Sequence, residues 1–301
     1  MSEFDIVVAG GGIAGLTAGL TAARLGRRTL ILTGDQLGGN LLSIEKIDGF
    51  PGFAEGVAGF ELCPSVQIQA AEAGCEFETS EILALDGAPG AWQIKTADGD
   101  YTARAVILAT GASLKSLGVP GEEDFKGRGV SHCASCDAPL LRGAPAVVIG
   151  GGDSALQEAL TLANAGAPVT ILQKGAELTA QAAYRDRVAA EDKIAVRCNE
   201  SVVEIVGKDG VEGVKLASGE TIPAGGVFVY VGFAPNTGYL KGAAKLDARG
   251  AIVTDASLAT SLDGVFAAGA VRTGWAGRAA ASAGDGAATA IAADAYLKAR
   301  T

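Results

Sequence analysis

Apolar positions in this chain gather into short continuous runs, several of which end in glycine. FDIVVAGGGIAGLTAGLTAARLGRRTLIL, Phe4 to Leu32, reads as strand, glycine turn, helix and strand. A continuous apolar strand is what a parallel sheet covered on both faces requires. The same order recurs in APAVVIGGGDSALQEALTLANAGAPVTILQ, Ala144 to Gln173. Between the two, ARAVILATGASLKSLGVPG (Ala103 to Gly121) is a strand ending in Ala109-Thr110-Gly111, followed by a proline-bearing link. Late in the chain, DGVFAAGAV (Asp263 to Val271) is a further strand ending in glycine, ahead of an alanine-rich helix from about Arg278. Asp98-Gly99 and Asp209-Gly210 mark surface hairpin turns. PNTGYLKG, Pro235 to Gly242, reads as a second crossing between domains. The pattern predicts an α/β fold of two Rossmann-like nucleotide-binding domains, the second inserted into the first. The expected boundaries are 1–112 with 242–301 for the first domain and 113–241 for the second.

Gly10, Gly12 and Gly15 form G-x-G-x-x-G at the first strand-to-helix turn. Glycine is needed there for the tight turn, for close approach of a pyrophosphate and for packing of helix on strand. The helix N-terminus then offers N–H groups to the phosphate. Gly150, Gly152 and Ala155 give G-x-G-x-x-A in the second unit. Two such matches in the right context indicate two nucleotide folds. The acidic residue usual at the end of the second strand is replaced by Thr33-Gly34 in the first unit, so an adenosine ribose there is held in some other way.

The 301 residues suit two domains, and a hydrophobic fraction of 49% supplies a core for each. The net charge of −10 argues against a nucleic-acid partner, whose phosphates need clustered Lys and Arg. It is compatible with steering toward a partner with basic patches. There is no apolar run of the length a membrane span requires. The opening MSEFDIVVAGGG lacks the basic region of a signal peptide. The expected location is cytoplasmic, a reducing compartment. Five cysteines are an odd number and no disulphide framework for such a compartment. Cys63, Cys75 and Cys198 stand singly and read as small buried or half-buried hydrophobes.

Cys133 and Cys136 are different. They lie two residues apart in VSHCASCDAPLL, with Asp137 directly after and the chain's single histidine, His132, directly before. A structural zinc site needs about four ligands, and no second C-x-x-C exists; an iron–sulphur cluster fails by the same count. No metal is expected. A permanent bridge over so short a loop removes little unfolded-state entropy. A redox pair is the coherent reading. A helix N-terminus or nearby cation would lower a thiol pKa into the useful range, and Asp137 could shuttle the accompanying proton. His132 could do so too, although a histidine flanking a motif is more often a surface residue. A disulphide takes two electrons, as a flavin does, and two nucleotide domains supply the rest of a circuit.

At this point the chain resembles the low-molecular-weight thioredoxin reductases over essentially its whole length. The resemblance is carried by GGGIAGLTA (Gly10 to Ala18), LTGDQLGGN (Leu32 to Asn40), ATGA (Ala109 to Ala112), FKGRGVSHCASCDA (Phe125 to Ala138), VVIGGGDSA (Val147 to Ala155), VGFAPNT (Val231 to Thr237), GVFAAG (Gly264 to Gly269) and RAAASAGDG (Arg278 to Gly286). It implies an FAD domain built from both chain ends and an inserted nicotinamide-nucleotide domain carrying the cysteines. It also implies a homodimer, rotation between domains and a thioredoxin-like protein or small disulphide as partner. Cys136 is then the thiol beside the flavin, Cys133 its exchange partner and Asp137 the acid. Gly10, Gly12, Gly15, Gly39, Asn40, Thr110, Gly111, Gly269, Arg278 and Ala279 would hold FAD. Gly150, Gly152, Ser154 and Lys174 would serve the second nucleotide.

The chain also departs from the family. Members that use NADPH carry His-Arg-Arg after the second nucleotide unit and a further Arg a few residues on, a bidentate clamp for the 2′-phosphate. Here the strand ends Gln173-Lys174-Gly175, with Thr179 at the last Arg position. NADPH is disfavoured, NADH stays open, and an electron-donor protein is a further candidate source. The flavin site departs at Ala270, Gly49 and Asn40, where the family has Asp, Asn and Gln. The leading expectation is a flavin-dependent dithiol–disulphide oxidoreductase with a donor other than NADPH. A dithiol oxidase that passes electrons to oxygen, an ordinary NADPH-thioredoxin reductase and a non-catalytic redox sensor remain as alternatives.

Overall fold

The computed structural model describes residues 2–300. The chain divides into two compact units, one made of the residues up to Ser113 and from Ala234 onward, the other of Leu114–Phe233.

In chain order the first unit opens with β1 (Ser2–Ala9), α1 (Ile13–Arg24), β2 (Thr29–Leu32), α2 (Gly59–Glu72), β3 (Glu76–Glu78), β4 (Ala84–Ala88), β5 (Ala91–Lys95) and β6 (Asp100–Leu108), and β7 (Ala112–Leu114) spans the boundary to the second. The second unit contains β8 (Val130–Ser131), α3 (Ala134–Leu141), β9 (Ala146–Ile149), α4 (Asp153–Asn164), β10 (Val169–Gln173), α5 (Ala182–Ala189), β11 (Ile194–Cys198), β12 (Val202–Gly207), β13 (Val211–Leu216), β14 (Thr221–Pro223) and β15 (Gly226–Val229). After β16 (Phe233–Pro235) the first unit is completed by β17 (Val265–Ala267) and α6 (Ala279–Lys298).

The sheet of the first unit runs β3-β2-β1-β6-β5-β4, with β17 also paired to β6. Strands β3, β2, β1, β6 and β17 are parallel, with Ala9 opposite Leu32 on one side and Leu108 on the other. The continuous apolar run of β1 is explained by its two faces. Phe4, Val7 and Ala9 enter one core cluster, while Ile6 and Val8 enter the other, beneath α1 and α6. The second unit repeats the construction in a five-stranded parallel sheet, β11-β10-β9-β15-β8. Ala146 and Val148 of β9 face one cluster, Val147 and Ile149 the opposite one. The antiparallel hairpins β5–β6 and β12–β13 close around 96–99 and 208–210.

The first unit resumes at Ala234, earlier than the expected 242. Asn236 is why. Its N–H donates to the Gly111 carbonyl at 3.0 Å and its Nδ2 to the Thr110 carbonyl at 2.9 Å. PNTGYLKG is therefore anchored to the end of β6 rather than forming a free link. Arg27 and Asp294 tie the start of β2 to α6 through a 2.6 Å ion pair between two largely buried side chains. Among the described residues, no helix is long and apolar enough to cross a membrane.

Candidate active site

The C-terminal ends of β1, β6 and β17 bring Gly10, Thr110 and Gly269 to one edge of the first sheet, the edge where open parallel sheets bind ligands. Gly10 has φ +123°, and a Cβ there would run into the Ala109 carbonyl. A Cβ on Gly15 would run into the Gly10 carbonyl. Both glycines are thus dictated by the turn itself. Gly12 serves differently. It caps α1 with extended backbone and no side-chain cap, and open space lies where its Cβ would be. Gly38 N–H donates to the Gly11 carbonyl at 2.8 Å. This sets Gly39 alongside, where a Cβ would come within 3.8 Å of Gly12 Cα. The result is a glycine-rimmed approach to the uncapped N–H groups of a 12-residue helix, which fits the diphosphate of a dinucleotide.

The other first-unit candidates have partners within the fold. Asn40 Nδ2 donates to the Ala112 carbonyl at 2.6 Å. The Thr110 hydroxyl donates to the Asn236 carbonyl at 2.8 Å. Gly111 is left-handed, φ +68°, and faces open space. Gly269 N–H donates to Asp285 Oδ2 at 3.0 Å, and its missing Cβ lets α1 approach at Ala14. Arg278 is exposed at the N-cap of α6, which Ala279 opens.

The second unit carries the matching turn. Gly150 has φ +134°, and a Cβ would collide with the Tyr230 carbonyl. Gly152 caps α4 without a side-chain cap, and Ser154 lies in the first turn. The segment after β10 folds back onto this turn: Thr179 N–H and Ala180 N–H both donate to the Gly151 carbonyl, at 2.8 and 3.0 Å. Lys174 is exposed just past the end of β10.

Cys133 and Cys136 are joined in a disulphide. Cys133 is the N-cap of α3, and its Sγ accepts from Cys136 N–H at 3.3 Å. Its own N–H donates to Ser131 Oγ at 3.0 Å. Upon reduction, a thiolate at Cys133 would meet the helix N-terminus, the setting that lowers a thiol pKa. Cys136 is exposed. Asp137 follows in the first turn of α3 and lines a cavity of about 300 Å³ with Arg128, Ser131, Leu140, Leu141 and Phe228. His132 Nδ1 donates to the Val229 carbonyl at 2.8 Å, which fixes the orientation of the ring.

Two residues beside the cysteines escape the sequence reading. Glu158 Oε2, from α4, accepts from Ala134 N–H at 2.7 Å and from the Tyr230 hydroxyl at 3.2 Å. Burial, and then the Glu158 charge, push the Tyr230 phenol well above its ordinary value. The available signal is spacing: Glu158 sits on the stripe of Ala155, Ala159 and Leu162, which is buried, and an acid there calls for a partner. The third missed residue is Asp285, which also holds Arg272 through a two-pronged pair at 2.7 Å each. Cys63 and Cys75 are buried, their thiols pushed up to about 11 by burial; Cys198 is half-buried.

Residues 4–288 match the family model described as pyridine nucleotide-disulphide oxidoreductase. The thioredoxin reductase of Treponema pallidum (strain Nichols) is 38% identical, covering 98% of each chain. That of Mycolicibacterium smegmatis is 37% identical over 97% of this chain and 96% of its own. Among solved structures, Lactococcus lactis thioredoxin reductase (FR conformation) matches with a TM-score of 0.94 at 33% identity, covering 98% of this chain and 99% of the other. Thioredoxin reductase of T. acidophilum matches at 0.93 and 35% identity over the whole of both chains.

Proposed function

From the premise that this chain belongs to the low-molecular-weight thioredoxin reductases, FAD-dependent disulphide oxidoreductases, we propose that it carries two electrons from a donor other than NADPH to Cys133–Cys136 and on to a thioredoxin-like disulphide. It works as a homodimer in the cytoplasm. The first unit holds FAD at the glycine-rimmed N-terminus of α1. The second presents the redox pair and a nucleotide turn.

Bound FAD supplies two-electron exchange with a disulphide. The protein's residues do the rest. Reduction breaks the Cys133–Cys136 bond and adds two electrons, with protons taken up at sulphur. Asp137 delivers and removes the proton at Sγ. The Cys133 thiolate, stabilised by Cys136 N–H and the start of α3, attacks one sulphur of the partner disulphide and forms a mixed disulphide. Cys136 Sγ then attacks Cys133 Sγ, which restores the internal bond and releases the partner as a dithiol.

The observation that carries the donor reading is the end of β10. Residues 173–181 contain a single cation, Lys174, where a 2′-phosphate would need a planar guanidinium clamp. The test is anaerobic mixing of the flavin-loaded protein with NADPH. Little or no flavin bleaching at micromolar NADPH is expected, with ready bleaching by a dithiol through Cys133–Cys136. Rapid bleaching by NADPH refutes the donor reading.

A further inference from the structure

The residue that ends β10 has the geometry of a nucleotide selector. In a strand–turn–helix–strand nucleotide unit the first helix N-terminus receives the pyrophosphate, and the last residue of the second strand reaches the adenosine ribose. Here that residue is Gln173. Its side chain lies over the glycine turn: a Cβ built on Gly151 would stand 2.7 Å from Gln173 Cδ. Gln173 Nε2 donates to the Glu177 carbonyl at 3.1 Å. A carbonyl can only accept, so the amide is oriented with its NH₂ toward Glu177 and its oxygen, Oε1, at the other end.

The neighbouring donors are engaged with the protein. Thr179 Oγ1 donates to the Gly151 carbonyl at 3.2 Å. Gln181 donates through both N and Nε2 to the Asp153 carboxylate, at 2.7 Å each. Arg197, on the adjacent strand β11, is held between Glu200 and Glu220 at 2.6 and 2.8 Å. Asp153, the first residue of α4, adds negative charge at the same turn. A ribose phosphate arriving here would meet an amide oxygen and one lysine on a flexible stem, with the Arg197 guanidinium not free to clamp it. A ribose hydroxyl would meet an acceptor already fixed in place.

We propose that Gln173 is the donor-selecting residue of this protein: its Oε1 accepts a hydrogen bond from the adenosine 2′-hydroxyl of an unphosphorylated nicotinamide dinucleotide, so that NADH is taken in preference to NADPH. This rests on the reductase reading above and names the donor that reading leaves open. Acceptance at the 2′-hydroxyl is a neutral counterpart of the acidic residue that other dinucleotide folds place at this strand end.

The test uses the flavin-loaded full chain and two probes without redox chemistry, ADP-ribose and 2′-phospho-ADP-ribose, titrated by calorimetry. ADP-ribose is expected to bind at least about 10-fold more tightly, the effect of one well-made hydrogen bond to a matched group. Gln173→Ala should weaken ADP-ribose about 5- to 10-fold while leaving the 2′-phospho form nearly unchanged. Gln173→Glu, which keeps the acceptor and adds charge, should retain ADP-ribose binding and weaken the 2′-phospho form further. It also guards against simple collapse of the turn in the alanine variant. Equal loss of both probes in Gln173→Ala, with no recovery in Gln173→Glu, overturns the inference, because Gln173 would then only support the turn. Binding of neither probe also overturns it, yet leaves the reductase reading with a protein donor intact. Tighter binding of the 2′-phospho form overturns both the inference and the donor reading. Failure of the reductase reading itself is read separately, as no gain of two free thiols when the flavin is reduced by dithionite.

Discussion

Replacing Glu158 tests whether the redox helix is held from behind by a half-buried carboxylate. Glu158 Oε2 takes two hydrogen bonds, from Ala134 N–H and the Tyr230 hydroxyl. Ala134 is fully buried and Tyr230 is 9% exposed. Glu158→Ala strands both donors, each at a cost of about 1–3 kcal/mol. The phenol can turn toward water more easily than the amide, so a combined loss of about 3 kcal/mol is expected. With a urea dependence of about 3 kcal/mol per molar, the unfolding midpoint of the second unit falls by about 1 M. Glu158→Gln keeps an oxygen for both donors and loses only the charge assistance, about 1 kcal/mol, or about 0.3 M. Urea unfolding followed by circular dichroism, with Cys133–Cys136 oxidised, measures both shifts. A second readout is spectrophotometric tyrosine titration. The Glu158 charge helps to raise the Tyr230 phenol, so in Glu158→Gln one phenol titrates at lower pH. Equal midpoints for the two variants, or an Ala variant within about 0.2 M of wild type, would refute the network.

Two other predictions follow from the first unit. Gly10→Ala forces a side chain against the Ala109 carbonyl at φ +123°, so the purified protein should lose most of its flavin absorbance; full retention would show that the turn does not shape the FAD site. Asp294 is held below the ordinary carboxylate range: burial by itself would raise it, but hydrogen bonds from Lys298 and Arg27 outweigh burial. A depressed folded value means the stabilisation is present above the unfolded pKa and is lost as pH falls through the folded one. Asp294→Asn should therefore cost about 1.5–3 kcal/mol at pH 7, and the gap to wild type should close toward pH 3 in thermal melts. A gap that is the same at both pH values would disprove the ion pair as its source.

The chain's sequence by itself determined the features that a few adjacent residues can impose. Gly10 and Gly150 are needed because each turn requires a left-handed backbone and close approach to a neighbouring carbonyl. Those demands follow from local sterics, so the two nucleotide units and their strands were legible. The grouping of Cys133, Cys136 and Asp137 at one helix start was legible for the same reason, since three residues at short spacing share one turn. The continuous apolar strands likewise announced sheets covered on both faces. Tertiary structure alone decided what these elements meet. Thr110 and Asn236 are 126 positions apart and close the hydrogen bonds that bring the chain back at Ala234. Glu158 and Tyr230, 72 positions apart, meet behind the cysteine helix. The orientation of the Gln173 amide depends on where the segment after β10 folds. Such partners are chosen by packing between distant segments, where each hydrogen bond depends on which buried groups the completed fold leaves facing one another.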